Sequence, residues 1–315
     1  MLIHTRRKFL ITAGMVAAGT LALGEDTVLR EPNQPELVKV EMMLPRLPAA
    51  FDGFRIAQLS DFHYDEVFSV VPIRAAVEMV NQLKPDLVVL TGDFVTGSYG
   101  KPHRRDPKSA RVAGPCANLL GRLRSRLGSV AVLGNHDVYT DPGFVTEALQ
   151  SHGVTVLRNG SRSLAQDGAT LWLCGLDSLY GRPNLGVAMR GIPSDEAVIL
   201  LVHEPDFADT ASQYPVDLQL SGHSHGGQIW LPGIGAPWLP EFGRKYPRGQ
   251  YRVGPLPLYT NIGLGTIRLP VRLNCPPEVT LVTLRAATDN RGQVKPVYTG
   301  DEQRSGPHWC QINSF

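Results

Sequence analysis

Short runs of apolar residues recur along the chain, and most of them stop at a polar, glycine-bearing turn. Leu37 to Met43 alternates apolar and polar positions and predicts an opening strand. Gly53 to Ser60 predicts a second strand, ending at Asp61-Phe62-His63. Ile73, Ala76, Val77, Val80 and Leu83 fall at helical spacing, with Pro72 suited to a first turn and Lys84-Pro85 ending the helix. Asp86 to Leu90 is a β-branched run ending at Thr91-Gly92-Asp93. A helix is expected over 117–124. Val130 to Leu133 predicts the next strand, which stops at Gly134-Asn135-His136-Asp137. A helix over 143–151 then leads to a strand at Val154 to Leu157.

Beyond that point strands dominate. Ser163 to Ala165 and Thr170 to Gly175 flank Asp167-Gly168 and predict a hairpin. Ala197 to Val202 is a strong apolar strand ending at His203, followed by a short helix over 207–213. Leu218 to Leu220 ends at Gly222-His223-Ser224-His225, with Gly226, Gly227 and Gln228 after it. Gln228 to Trp230 reads as extended. Pro232 to Arg252 is rich in proline, glycine and aromatic residues and predicts a long ordered loop. Its Trp238, Phe242, Tyr246 and Tyr251 serve either as surface packing or as a wall for the non-reacting part of a substrate. Further strands are expected at 257–260, 271–273 and 279–284, and a polar tail from Arg285 on. Alternating strands and helices that give way to strands predict one mixed α/β domain with more than one sheet layer, over about 26–290.

Composition adds little to this picture. The chain has 315 residues, 43% hydrophobic and 19% charged, with a net charge of +2, so no bulk field draws it to nucleic acid. The run His103 to Lys108 is locally basic and reads first as a solvated loop. The four cysteines (Cys116, Cys174, Cys275, Cys310) form no C-x-x-C pair. They are either buried free thiols or, in an exported protein, one or two disulfides.

The N-terminus changes the picture more. Thr5-Arg6-Arg7-Lys8-Phe9-Leu10 precedes an apolar stretch from Ile11 to Leu23, which is signal-peptide grammar. The paired arginines resemble a twin-arginine export signal. Residues 1–25 are therefore expected to be an address or a retained membrane anchor outside the fold, and the protein is expected in the periplasm or on the outer face of the cytoplasmic membrane. The stretch is short for a spanning helix.

The polar tips carry the candidate chemistry. They hold Asp61, His63, Asp93, Asn135, His136, Asp137, His203, His223 and His225, including five of the nine histidines. Ligands of open α/β sheets bind beyond the carboxyl ends of strands. Nitrogen and oxygen donors without cysteine suit borderline divalent ions such as manganese, iron or zinc.

The ordered set resembles the calcineurin-like metallophosphoesterase superfamily. The residues that carry the resemblance are Asp61-Phe62-His63, Gly92-Asp93, Gly134-Asn135-His136-Asp137, His203 and Gly222-His223-Ser224-His225. The resemblance implies a four-layer α/β/β/α sandwich of two mixed β-sheets flanked by helices. It also implies two divalent metal ions. Asp61, His63 and His225 would bind one ion, Asn135, His203 and His223 the other, and Asp93 would bridge them. Such a pair holds a hydroxide that attacks phosphorus in line. His136 would serve the leaving oxygen, and Asp137 would orient the His136 imidazole or simply cap a helix. The expected substrate is a phosphodiester, sugar nucleotide or phospholipid-type molecule. Within the superfamily, the twin-arginine start and the stretch Gly263 to Glu278 resemble exported envelope phosphodiesterases and the lipid-nucleotide pyrophosphatases that cleave UDP-2,3-diacylglucosamine. Arg268 and Arg272 are each either a contact to a substrate phosphate or a structural ion-pair partner. A non-catalytic scaffold of the same fold is the alternative from another class, and it would be expected to have lost ligands.

Overall fold

The computed structural model describes residues 24, 26–97 and 107–287. The expected N-terminal address (except Gly24), His103 to Asp106 of the basic run, and the tail over 291–315 with Cys310 lie outside the described residues. Among the described residues no helix is long and apolar enough to cross a membrane.

The described residues form two six-stranded mixed sheets. The first contains β1 (Glu36–Leu44), β2 (Arg55–Leu59), β3 (Leu87–Leu90), β4 (Ser129–Ala131), β5 (Val154–Val156) and β12 (Glu278–Ala286), in the order β1-β12-β2-β3-β4-β5. The second contains β6 (Gly160–Gln166), β7 (Ala169–Gly175), β8 (Ala197–Leu201), β9 (Leu218–Ser221), β10 (Gly249–Val253) and β11 (Leu256–Thr260), in the order β10-β11-β9-β8-β7-β6. In the first sheet β2 through β5 run parallel, and β12 enters antiparallel to β2.

The central strands are near-continuous apolar runs because both of their faces are covered. On β3, Leu87 and Val89 point into the layer between the sheets, while Val88 and Leu90 point at the helices. On β8, Ile199 and Leu201 fill the same inter-sheet layer, while Val198 and Leu200 face outward under the Ala208–Ala211 helix. The outer face of the first sheet is covered by Val70–Leu83, Ala113–Leu120 and Pro142–Ser151, which bury Ile73, Val80, Ala117 and Leu149 among others. The fold is thus the four-layer α/β/β/α sandwich.

Several boundaries differ from the sequence pattern. The helix expected over 117–124 lies at Ala113–Leu120, because Pro115 suits a first turn and Ala113, Cys116, Ala117 and Leu120 all face the core. Short helices at Asn135–Thr140 and Leu185–Ala188 were not expected. The strand expected at 271–273 is a single bridge between Ile229 and Leu273, because Arg272 turns inward. The loop expected through Arg252 stops at 248, because Gly249–Val253 pairs antiparallel with β11 as the sheet edge. The last strand continues through Arg285 to Ala286, where Arg285 meets Glu41 of β1. Cys116, Cys174 and Cys275 are buried free thiols.

Candidate metal centre

The carboxyl ends of β2, β3 and β4 in one sheet meet those of β8 and β9 in the other. Asp61 and His63 follow β2, Asp93 follows β3, Asn135 to Asp137 follow β4, His203 follows β8, and His223 and His225 follow β9. All nine side chains are buried. Five of these residues, Asp61, His63, Asp93, His223 and His225, have φ between 39° and 74°. That left-handed region is uncommon for residues with a Cβ and concentrates where a site is held against local preference. The turns also press backbone against carboxylate. A Cβ on Gly134 would stand 2.2 Å from Asp93 Oδ1, and one on Gly222 would stand 2.4 Å from Asp61 Oδ2. Only glycine allows either approach.

Among the described residues three overlapping groups could hold a cation: Asp61 with His63 and His225, His63 with Asp93 and His136, and Asp93 with His203 and His223. Asp93 joins the last two through one oxygen. Its Oδ2 lies 3.5 Å from His63 Nε2 and 3.1 Å from His203 Nε2. Its other oxygen accepts the His136 backbone N–H at 2.8 Å. Asp61 is likewise anchored by the His223 N–H, leaving Oδ1 3.3 Å from His225 Nε2 and 3.8 Å from His203 Nε2.

The outer hydrogen bonds define the tautomers. His203 Nδ1 donates to the Thr91 carbonyl at 2.6 Å, so in the neutral ring Nε2 carries a lone pair aimed at two carboxylates. His223 Nε2 donates to the Glu241 carbonyl at 2.7 Å, which leaves Nδ1 as the atom that could coordinate a cation. His63 and His225 bring their Nε2 atoms to 3.1 Å. Asn135 Oδ1 and His203 Nε2 are buried without a hydrogen-bond partner. Lone pairs converging on carboxylates, together with orphaned buried acceptors, are costly unless cations lie between them. The donor set therefore fits divalent metal.

Without a cation the electrostatics divide the candidate ligands: burial works against a charged His203, yet the facing Asp93 and Asp61 carboxylates hold it well above its ordinary value. Burial pushes His63 and His223 each down to about 3 and His225 well below its ordinary value, so these rings stay neutral and could serve as ligands. Burial pushes Asp61 up to about 6. Burial also works against Asp93, yet the facing His203 and His136 rings hold it well below the carboxylate range.

The structure decides two alternatives that the sequence leaves open. The Asp137 carboxylate does not hold the His136 ring. Its Oδ2 accepts the N–H of Asp93 and Gly134, and its Oδ1 accepts those of Phe94 and Val95. Asp137 therefore clamps the turn that presents Asp93 and caps its own helix. The His136 ring is held instead by the Gly97 N–H, donated to Nδ1 at 2.9 Å, so in the neutral ring the proton sits on Nε2. Arg272 is fully buried, and its guanidinium donates to the carbonyls of Ile262, Gly263, Gly265 and Cys275. It fastens the 262–275 segment behind Asp61 and does not face a substrate.

A cavity of about 300 Å³ opens beside the ligands. Trp238 and Pro240 of the proline-rich loop line it, whereas Tyr246 and Tyr251 pack on each other against the outer face of the second sheet. Phe242 rests on Tyr180, which also lines the cavity. Tyr180 and Thr96, whose hydroxyl meets His63 Nδ1 at 3.1 Å, had no signal in the sequence. Gln228 did have one, since it directly follows the glycine pair. Its amide donates to the carbonyls of Leu269 and Val271 and accepts the Ile267 N–H.

Residues 54–227 match the model of the calcineurin-like phosphoesterase family. Over 292 residues the chain is 36% identical to the uncharacterized metallophosphoesterase YkuE of Bacillus subtilis (strain 168), covering 90% of this chain and 98% of that protein. It is 30% identical over 286 residues to phosphodiesterase YaeI of Escherichia coli (strain K12), covering 89% of this chain and 99% of that protein. It is also 33% identical over 268 residues to a transmembrane protein with metallophosphoesterase domain from Danio rerio, covering 80% of this chain but 58% of that protein.

Proposed function

Because the chain belongs to the calcineurin-like phosphoesterase family, we propose that it is a metal-dependent phosphodiesterase acting through two divalent cations. The observation that carries this reading is the single oxygen, Asp93 Oδ2, placed 3.5 Å from His63 Nε2 and 3.1 Å from His203 Nε2 at the join of the ligand groups. Asp61, His63 and His225 would hold one cation, Asn135, His203 and His223 the other, with Asp93 shared. When bound, such a pair supplies Lewis acidity to a phosphoryl group and lowers the pKa of water.

The chain's own residues do the rest. The Thr91 and Glu241 carbonyls keep His203 and His223 in the tautomers that turn a lone pair inward. The His136 and His223 backbone N–H groups hold Asp93 and Asp61 so that each presents an oxygen to the facing imidazoles. Asp137 keeps the Asp93 turn in its strained conformation. His136 lines the cavity with its proton on Nε2, suited to donate toward a leaving alkoxide or phenoxide oxygen.

Hydrolysis of bis-p-nitrophenyl phosphate with manganese, in wild type, Asp93→Ala and His136→Ala, tests the proposal. Asp93→Ala is expected to lose both metal and turnover. His136→Ala is expected to keep metal and lose about 10²-fold or more in kcat. Normal hydrolysis by both variants, or none by the metal-loaded wild type, would sink it. The latter result would favour a binding scaffold.

A further inference from the structure

The cavity beside the metal centre has two unlike walls. One carries Asp93, Asn135, His136 and His223. The other is built from Trp238, Ile267, Leu269 and Val271. The apolar wall is a tied structure. Gln228, three residues past His225, donates its amide to the carbonyls of Leu269 and Val271 and accepts the Ile267 N–H. The turn that supplies two ligands therefore also sets the position of the wall. Arg268 also lines the cavity and lays its guanidinium 5.0 Å from the Trp238 ring centre. At the cavity mouth Trp238 is 48% exposed and Leu269 64%.

We propose that this wall is an alkyl-binding subsite, and that the substrate is an amphiphilic phosphodiester with an aliphatic chain on one ester oxygen. The inference rests on the phosphodiesterase reading and narrows its substrate class. The phosphate meets the polar wall while the chain lies along Ile267, Leu269 and Val271, with Trp238 closing over it. A nucleoside or sugar would require polar side chains to satisfy its hydroxyls, whereas Ser224 and Gln228, which also line the cavity, are bonded to backbone groups and the Arg268 guanidinium lies over the Trp238 ring. Large apolar side chains left in water at a site mouth gain from being covered. A cavity of this volume is at the small end of ligand pockets, enough for a short chain segment.

The test is kcat/KM for p-nitrophenyl phosphodiesters bearing methyl, butyl, hexyl or octyl groups, kept below their micelle concentrations, with manganese. Burial of a methylene is worth up to about fourfold, so partial burial predicts at least about a tenfold rise from methyl to hexyl. Leu269→Asn and Trp238→Ala, both at exposed positions and checked by thermal melting, are expected to cut that ratio to below about threefold. Turnover of the methyl ester with no dependence on chain length would overturn the subsite and leave the phosphodiesterase reading standing. A full chain-length dependence retained in both variants would overturn the assignment to this wall. No turnover of any ester would overturn the phosphodiesterase reading and the subsite with it.

Discussion

Replacing Asp137 by asparagine separates two accounts of the site. In the structure each carboxylate oxygen accepts two backbone N–H groups: Oδ2 those of Asp93 and Gly134, at 2.9 and 2.8 Å, and Oδ1 those of Phe94 and Val95, at 2.9 and 3.2 Å. Asparagine keeps one acceptor. Whichever way its amide turns, two buried N–H donors face an NH₂ group. Each stranded donor costs about 1–3 kcal/mol, so a loss of about 3 kcal/mol is expected. For a domain of this size that lowers Tm by about 6–12 °C. The Asp93 turn relaxes at the same time, and manganese affinity falls about 10- to 100-fold. Thermal melting of the metal-free protein and a calorimetric manganese titration read both effects. At saturating manganese, diesters with good and poor leaving groups should be slowed alike, whereas His136→Ala should slow the poor leaving group more. If Asp137→Asn melts and binds manganese like wild type, yet loses rate in step with leaving-group pKa, the carboxylate acts through the His136 ring and the clamp account is wrong.

Three further outcomes follow from the same geometry. Arg272→Met should lower Tm by about 6 °C or more, since a buried cation bonded to four carbonyls is worth at least about 3 kcal/mol; an unchanged Tm with a raised KM would instead place Arg272 at the substrate. Manganese affinity should fall as pH drops below about 6, because burial pushes the Asp61 carboxyl up to about 6 and its proton must leave before a cation can bind there. A manganese affinity that is the same at pH 7 and pH 5 would refute this. Finally, residues 1–25 fused to a folded reporter should direct twin-arginine-dependent export, and a Lys-Lys pair in place of Arg6-Arg7 should stop it; export that survives the change would reject the twin-arginine reading.

What the sequence determined by itself was local. Runs such as Leu87-Val88-Val89-Leu90 and Ala197 to Val202 declare strands covered on both faces, because burial on two sides leaves no polar alternation. The turns after them declare themselves because a ligand-bearing tip needs short polar residues and glycine within a few positions of a strand end. That is why the nine candidate residues could be singled out from the chain alone, together with a layered α/β fold. The tertiary structure decided everything that depends on distant segments. The partners of Asp137 lie up to 44 residues away and are backbone groups, which have no sequence signature. Arg272 reads like any surface arginine until four carbonyls surround it. The strand at 249–253 is composed like a loop and is held by pairing with β11. The apolar wall at 267–271 has no periodicity of its own and exists only because Gln228 reaches across some 40 residues to tie it beside the candidate metal centre. Periodicity records which face a residue buries, and only the folded backbone determines what it is buried against.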